Sequence, residues 1–117
     1  LKAHNPQLLA IAVEPQESPL LSGGTASPHG IQGIGANFIP ENYDPTMVDR
    51  IMQVSTEQAM QTGRELSRHE GLITGISSGA ALHAAMELAK RPENTGKTIV
   101  VLLPDTGDRY LSTDLFQ

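Results

Sequence analysis

Gly71-Leu72-Ile73-Thr74-Gly75-Ile76-Ser77-Ser78-Gly79-Ala80-Ala81 is the stretch that decides how the chain is read. Leu72 to Thr74 reads as a short strand and Gly75 to Gly79 as a tight turn. Ala80, Ala81, Ala84, Ala85 and Leu88 then form a small-residue face on a helix running from about Gly79 to Lys90. Strand, glycine turn and helix in that order are the building unit of a parallel sheet with right-handed crossovers. Toward the N-terminus, Ser55-Thr56-Glu57-Gln58 spells a capping box. It predicts a helix to about Glu70, with Ala59, Gly63 and Leu66 inward and Gly71 as a left-handed stop. Leu8 to Glu14 and Thr98 to Leu103 are short apolar runs that suit strands buried on both faces. Met47 to Val54 adds another candidate strand. The predicted class is α/β, a partial three-layer sandwich with a mostly parallel sheet, because two helices are too few to cover both faces.

Composition narrows the function. The chain has 117 residues, 8 Lys and Arg against 13 Asp and Glu, a formal net charge of −5, no Cys and four aromatic residues in all. One domain of ordinary size fits that length. The acidic balance excludes a phosphate-backbone binder, so no nucleic acid is expected as a partner. Lack of Cys removes disulfides, thiolate nucleophiles and Cys-based metal sites, and no apolar run approaches a membrane span. Leu1-Lys2-Ala3-His4-Asn5-Pro6 has neither a start Met nor a signal-peptide layout and reads as the tail of a helix. With the incompletely covered sheet, this leads to the expectation of a fragment.

Ligands of parallel sheets bind beyond the carboxyl ends of the strands, where Gly75 to Gly79 and Pro104 to Gly107 lie. The first turn opens a helix, whose free N–H groups and dipole favour an acceptor or anion. Ser77 and Ser78 add hydroxyls. Two readings stand on spacing alone: a plain helix start with a glycine turn, or a ligand site. The same residues match G-x-S-x-G, the nucleophile elbow of serine hydrolases, whose triad follows the order Ser, Asp or Glu, His. None of the four histidines, His4, His29, His69 and His83, follows Asp105, Asp108 or Asp114. That triad cannot be assembled from this chain. No histidine has partners at metal-ligand spacing, so no metal is expected. Asp105 is expected to cap the turn that follows it.

From Pro15 to Pro45 lie five of the eight prolines and five of the eleven glycines, which excludes a helix and predicts a long functional loop. Within it, Gly30 to Pro40 holds Gly30, Gly33 and Gly35 with amide side chains at Gln32 and Asn37. Such a segment can close over a small polar ligand.

Taken together, PHGIQGIGANFIP (28–40), RHEGLITGISSGAA (68–81) and VVLLPDTGDRYLSTDLF (100–116) resemble the C-terminal part of the cysteine synthases (O-acetylserine sulfhydrylases). These belong with the tryptophan-synthase β, or fold-type II, pyridoxal-phosphate enzymes. The resemblance covers nearly the whole chain in order. It departs at Gly30, where relatives often carry Lys, and at Asn37, where Gly is common. It implies that residues 1–117 form the C-terminal part of the large pyridoxal 5′-phosphate-binding domain. Ser77 then matches the serine whose hydroxyl bonds the pyridine nitrogen. Gln32 and Gly33 match the substrate and closure loop, and Pro104 to Gly107 a wall near the ring. A neutral hydroxyl does not hold a proton on that nitrogen as a carboxylate would, which suits β-elimination more than transamination.

The family's Schiff-base lysine, substrate-carboxylate loop and phosphate cup lie upstream of the matched region. None of Lys2, Lys90 and Lys97 matches that lysine, so no catalytic residue is expected here and the isolated chain is expected to be inactive. For the intact enzyme the resemblance implies formation of L-cysteine from O-acetyl-L-serine and sulfide. It also implies a cytoplasmic homodimer whose cleft binds the C-terminal tail of serine acetyltransferase. Cystathionine β-synthase-like chemistry is the alternative enzyme reading, and an interaction module for that tail the alternative of another class.

Overall fold

The computed structural model describes residues 1–117. Two strands, β1 (Ile11–Pro15) and β2 (Arg50–Val54), and two helices, α1 (Thr56–Glu70) and α2 (Ile76–Ala89), form its regular part. The strands pair in parallel, from Ile11 opposite Arg50 to Pro15 opposite Val54. Asp49 fixes where the pairing begins: its carboxylate accepts from the Ala10 N–H at 2.7 Å and from Lys2 at 2.5 Å. Those bonds, the Lys2 ammonium first, hold the Asp49 carboxyl below its ordinary value.

Helix α1 follows its sequence signals closely. Ser55 caps α1 through the Gln58 N–H while Gln58 returns a bond from the Ser55 N–H, and Gly71 closes the helix at φ 70°. The capping box satisfies two otherwise orphaned groups, and its serine contributes about 1 kcal/mol. Helix α2 packs on both strands, and α1 packs on α2. Gly79 makes that second contact possible, because a Cβ there would collide with the Ala59 carbonyl. Ile31, Val54, Ala59, Ile76, Ala80, Ala84, Tyr110 and Leu115 make up the core. The C-terminal segment joins it through Leu115 against Gly63 and through Arg64, whose guanidinium donates to the Leu115 and Asp114 carbonyls.

The α/β class and the parallel pairing hold, but the sheet has two strands where the sequence predicts more. Residues 98–103 form no strand: Val100 and Leu102 are 90% and 78% exposed. A strand satisfies its backbone groups on a neighbour, and no backbone group of this run is bonded to another segment. Leu72 to Thr74 is likewise no strand, because its pairing stops at one antiparallel bridge, Thr74 with Thr106. The strand predicted from Met47 begins only at Arg50; Pro45–Met47 is a 3-10 turn capped by Asp44. As expected, Gln16 to Asp44 contains no helix. No helix of the chain is long and apolar enough to cross a membrane.

Candidate functional site

The site is built where α2 begins. The expected turn from Gly75 to Gly79 is in fact the first turn of the helix, which starts at Ile76 with Gly75 as its N-cap. Both serines therefore sit on the opening turn rather than ahead of it. The reason is local: Gly75 lacks a side chain to cap the helix, and its extended backbone lets α2 begin at once. No side chain caps this end, so its first N–H groups and the positive end of the helix dipole remain available to an acceptor.

The two serines have different work. Ser78 is fully buried and donates to the Asp105 carboxylate at 3.0 Å. Ser77 is 5% exposed, and its hydroxyl takes part in no hydrogen bond within the chain. Facing it is Gly33: a Cβ on that glycine would lie 3.2 Å from the Ser77 Oγ. Gly33 adopts φ 101°, a conformation that a side chain would strain. The structure thus brings Gly33 and Ser77 together across about 44 residues of sequence. Gln32, beside Gly33, is exposed and forms no side-chain hydrogen bond.

Asp105 does not cap its own turn, contrary to the sequence expectation. Its carboxylate lies against Gly75, where any Cβ would overlap it, and accepts from Ser78 and, at 2.5 Å, from the Tyr110 hydroxyl. Two hydroxyls from different segments satisfy it better than the following backbone does. The bond to Asp105 raises the Tyr110 phenol above its ordinary pKa, with burial adding to the effect. The residues Pro104 to Gly107 thus clamp the start of α2. Sequence reasoning missed Tyr110; its only signal was a lone tyrosine shortly after a strand-end Asp. It also missed Thr74, whose hydroxyl is buried without a partner just before the helix.

The three lysines lie outside this arrangement. Lys2 is bound to Asp49 and the Leu8 carbonyl, Lys90 to Glu87, and Lys97 follows the exposed 3-10 turn at Pro92–Asn94. His83 sits on α2 about 9 Å along the axis from Ser77 and bonds Thr62 of α1 at 3.1 Å. That leaves Ser77 without a general base, as the hydrolase pattern would require.

The sequence profile of the pyridoxal-phosphate dependent enzymes matches residues 1–105. The chain belongs to that family. Its cofactor is pyridoxal 5′-phosphate. A cysteine synthase of Buchnera aphidicola (subspecies Acyrthosiphon pisum) is 50% identical over 115 residues, a match that covers 93% of this chain and 36% of that protein. Among solved structures, a cysteine synthase of Entamoeba histolytica superposes with a TM-score of 0.98 at 48% identity, covering 99% of this chain and 34% of the other. An O-acetylserine dependent cystathionine beta-synthase from Helicobacter pylori superposes with a TM-score of 0.86 at 40% identity, covering 38% of its chain. The chain spans little more than a third of the length of these relatives.

The residues present suit one end of the family's cofactor. A hydroxyl with no partner in the chain, at an uncapped helix start and opposite a glycine with no side chain to obstruct it, has the chemistry to donate to an acceptor such as a ring nitrogen. No free amine accompanies it.

Proposed function

We propose that this chain is the C-terminal part of the large domain of a cysteine synthase, forming L-cysteine from O-acetyl-L-serine and sulfide by β-replacement. The observation that carries the reading is the Ser77 hydroxyl at the open start of α2, without a hydrogen bond inside the chain and facing Gly33. When bound, pyridoxal phosphate supplies the electron sink for the reaction. Ser77 would donate a hydrogen bond to the pyridine nitrogen and so help orient the ring. The N-terminal dipole of α2 disfavours a proton on that nitrogen, reinforcing the choice of a neutral partner. Asp105, bound by Ser78 and Tyr110, holds the helix start in place. Gln32 and Gly33 would form the wall that closes over the substrate, with the Gln32 amide free to meet a polar group.

The Schiff-base lysine, the phosphate cup and the substrate-carboxylate loop would be supplied by other residues of the intact enzyme, and this chain alone would be inactive. For that enzyme we assign a cytoplasmic homodimer whose cleft accepts the serine acetyltransferase tail beside the long loop. The Helicobacter structure favours one second reading, β-replacement with homocysteine in place of sulfide to give cystathionine.

Two measurements test this. The 117-residue chain, mixed with pyridoxal phosphate and borohydride and then desalted, should carry no covalent lysine adduct by mass spectrometry; a stoichiometric adduct would overturn the division of labour. In the intact enzyme, Ser77→Ala should weaken cofactor retention and lower kcat about tenfold or more, as loss of a buried hydrogen bond to a charged or polar ring does. Unchanged retention and kcat would remove Ser77 from the site. Offering the same enzyme sulfide or homocysteine separates the two readings by product.

A further inference from the structure

The loop that brings Gly33 to Ser77 is held by a histidine whose two ring nitrogens are both committed. Nδ1 of His29 accepts from the Ile31 N–H at 3.1 Å, and Nε2 lies 2.7 Å from the Gly35 carbonyl. A backbone N–H can only be accepted and a carbonyl can only be donated to, so the geometry requires the neutral ring with its proton on Nε2. The ring thereby spans Ile31 to Gly35, the turn that contains Gln32 and Gly33. The N-terminal side of the clasp is anchored twice. Gly30 donates to the Thr56 hydroxyl at 2.9 Å, and Ile31 is wholly buried in the core. Beyond Ile31, Gly33 and Gly35 both have positive φ, so this turn has little preference of its own to hold its shape.

We infer that His29 is a positioning residue, a neutral-ring clasp that fixes Gln32 and Gly33 against Ser77 and releases them when the imidazole is protonated. The imidazolium carries N–H donors at both nitrogens. Its Nδ1–H would point at the Ile31 N–H, and a fully buried residue would be left with an unsatisfied donor. The carboxylate near enough to feel a charge on the ring is Glu17, just past the end of β1. Burial pushes the Glu17 carboxyl up, but hydrogen bonds, chiefly from Thr56, outweigh it and leave it below its ordinary value. Helix α1 presents to the same place the Thr56 hydroxyl and its partially positive N-terminal end. A protonated ring therefore loses Ile31 as a donor and is drawn to Glu17 instead. The loop has two partners for one ring, selected by one proton.

That the clasp serves the substrate wall rests on the reading of Gln32 and Gly33 proposed above; the clasp itself does not. The test therefore uses the 117-residue chain without cofactor. Side-chain nitrogen NMR should find His29 with a bare Nδ1 and a protonated Nε2 at about pH 8. Lowering the pH to about 5 should move the amide signals of Ile31, Gly33 and Gly35 with the midpoint of the His29 ring, while Ala12 in β1 stays put. His29→Phe, which fills the space without nitrogens, should speed Ile31 amide exchange roughly fivefold and abolish the pH response; His29→Gln, which retains an acceptor and a donor, should restore part of the protection. A proton on Nδ1 at the higher pH would overturn the proposal, even if the phenylalanine variant failed to fold. So would loop amides that ignore the His29 titration, or Ile31 protection unchanged in His29→Phe. The Ser77→Ala result in the intact enzyme is independent of each of these outcomes, so the two readings can fail separately.

Discussion

The two walls of the site are made in opposite ways. The wall carrying Ser77 is the first turn of a 14-residue helix, seated on both strands and pressed against α1 at backbone distance. The wall carrying Gln32 and Gly33 is a glycine turn with no regular structure, fixed by one buried isoleucine, one threonine hydroxyl and one histidine ring. A helix satisfies its own backbone groups, so its end is placed by packing. A glycine turn leaves those groups to side chains drawn from elsewhere in the sequence. The lesson is a division between a rigid face placed by helix packing and an adjustable face placed by a few side chains.

The largest expected effect attacks the rigid wall. Gly79→Val would drive a branched side chain into the Ala59 carbonyl, and neither backbone can give without separating the helices. A loss of about 4 kcal/mol or more follows, and urea denaturation should show it as a collapsed midpoint. A near-normal midpoint would mean that the two helices are not in close contact. Next comes the anchor of the adjustable wall. Ile31→Ala empties a fully buried position and should cost about 3 kcal/mol while disordering the signals of Gln32 and Gly33 more than those of Ser77. Equal disturbance of both walls would break the distinction between them.

The smallest effect concerns the clamp on the helix start. The Tyr110 phenol is raised above its ordinary value by its bond to Asp105, so the folded chain prefers the neutral phenol. That preference contributes its full stability below the unfolded-state tyrosine pKa of about 10. It is lost as the pH rises through the higher folded value. Asp105→Asn should lower the Tyr110 ionisation, read as tyrosinate absorbance, toward the ordinary tyrosine value of about 10. An unshifted titration would remove the Asp105 contact as the clamp.

How much of this was legible in the sequence varied with how local the cause was. Helix α1 could be read residue by residue, because Ser55, Gln58 and Gly71 act within one turn of the positions they control. The run from Leu8 correctly announced β1, yet the equally apolar Thr98 to Leu103 stands unpaired, since apolar composition supplies a face and not a hydrogen-bonding neighbour. Ser77 could be picked out from its motif, although its place on the helix rather than before it could not. Asp105 was misread because its partners, Ser78 and Tyr110, come from two separate segments. Asn37 was noted only as a departure from a common glycine; its φ of 62° explains why glycine is usual there and why asparagine is the next best occupant.

The sequence by itself determined the α/β class, the two helices with their boundaries to within a few residues, and the family to which the chain belongs. Those follow from periodicity, capping and motif, all carried by neighbouring residues. Only the tertiary structure decided which apolar runs become strands, which serine keeps a free hydroxyl, and that Gly33 faces it. Each of these depends on what a distant segment places alongside, and a one-dimensional pattern does not encode a neighbour's position.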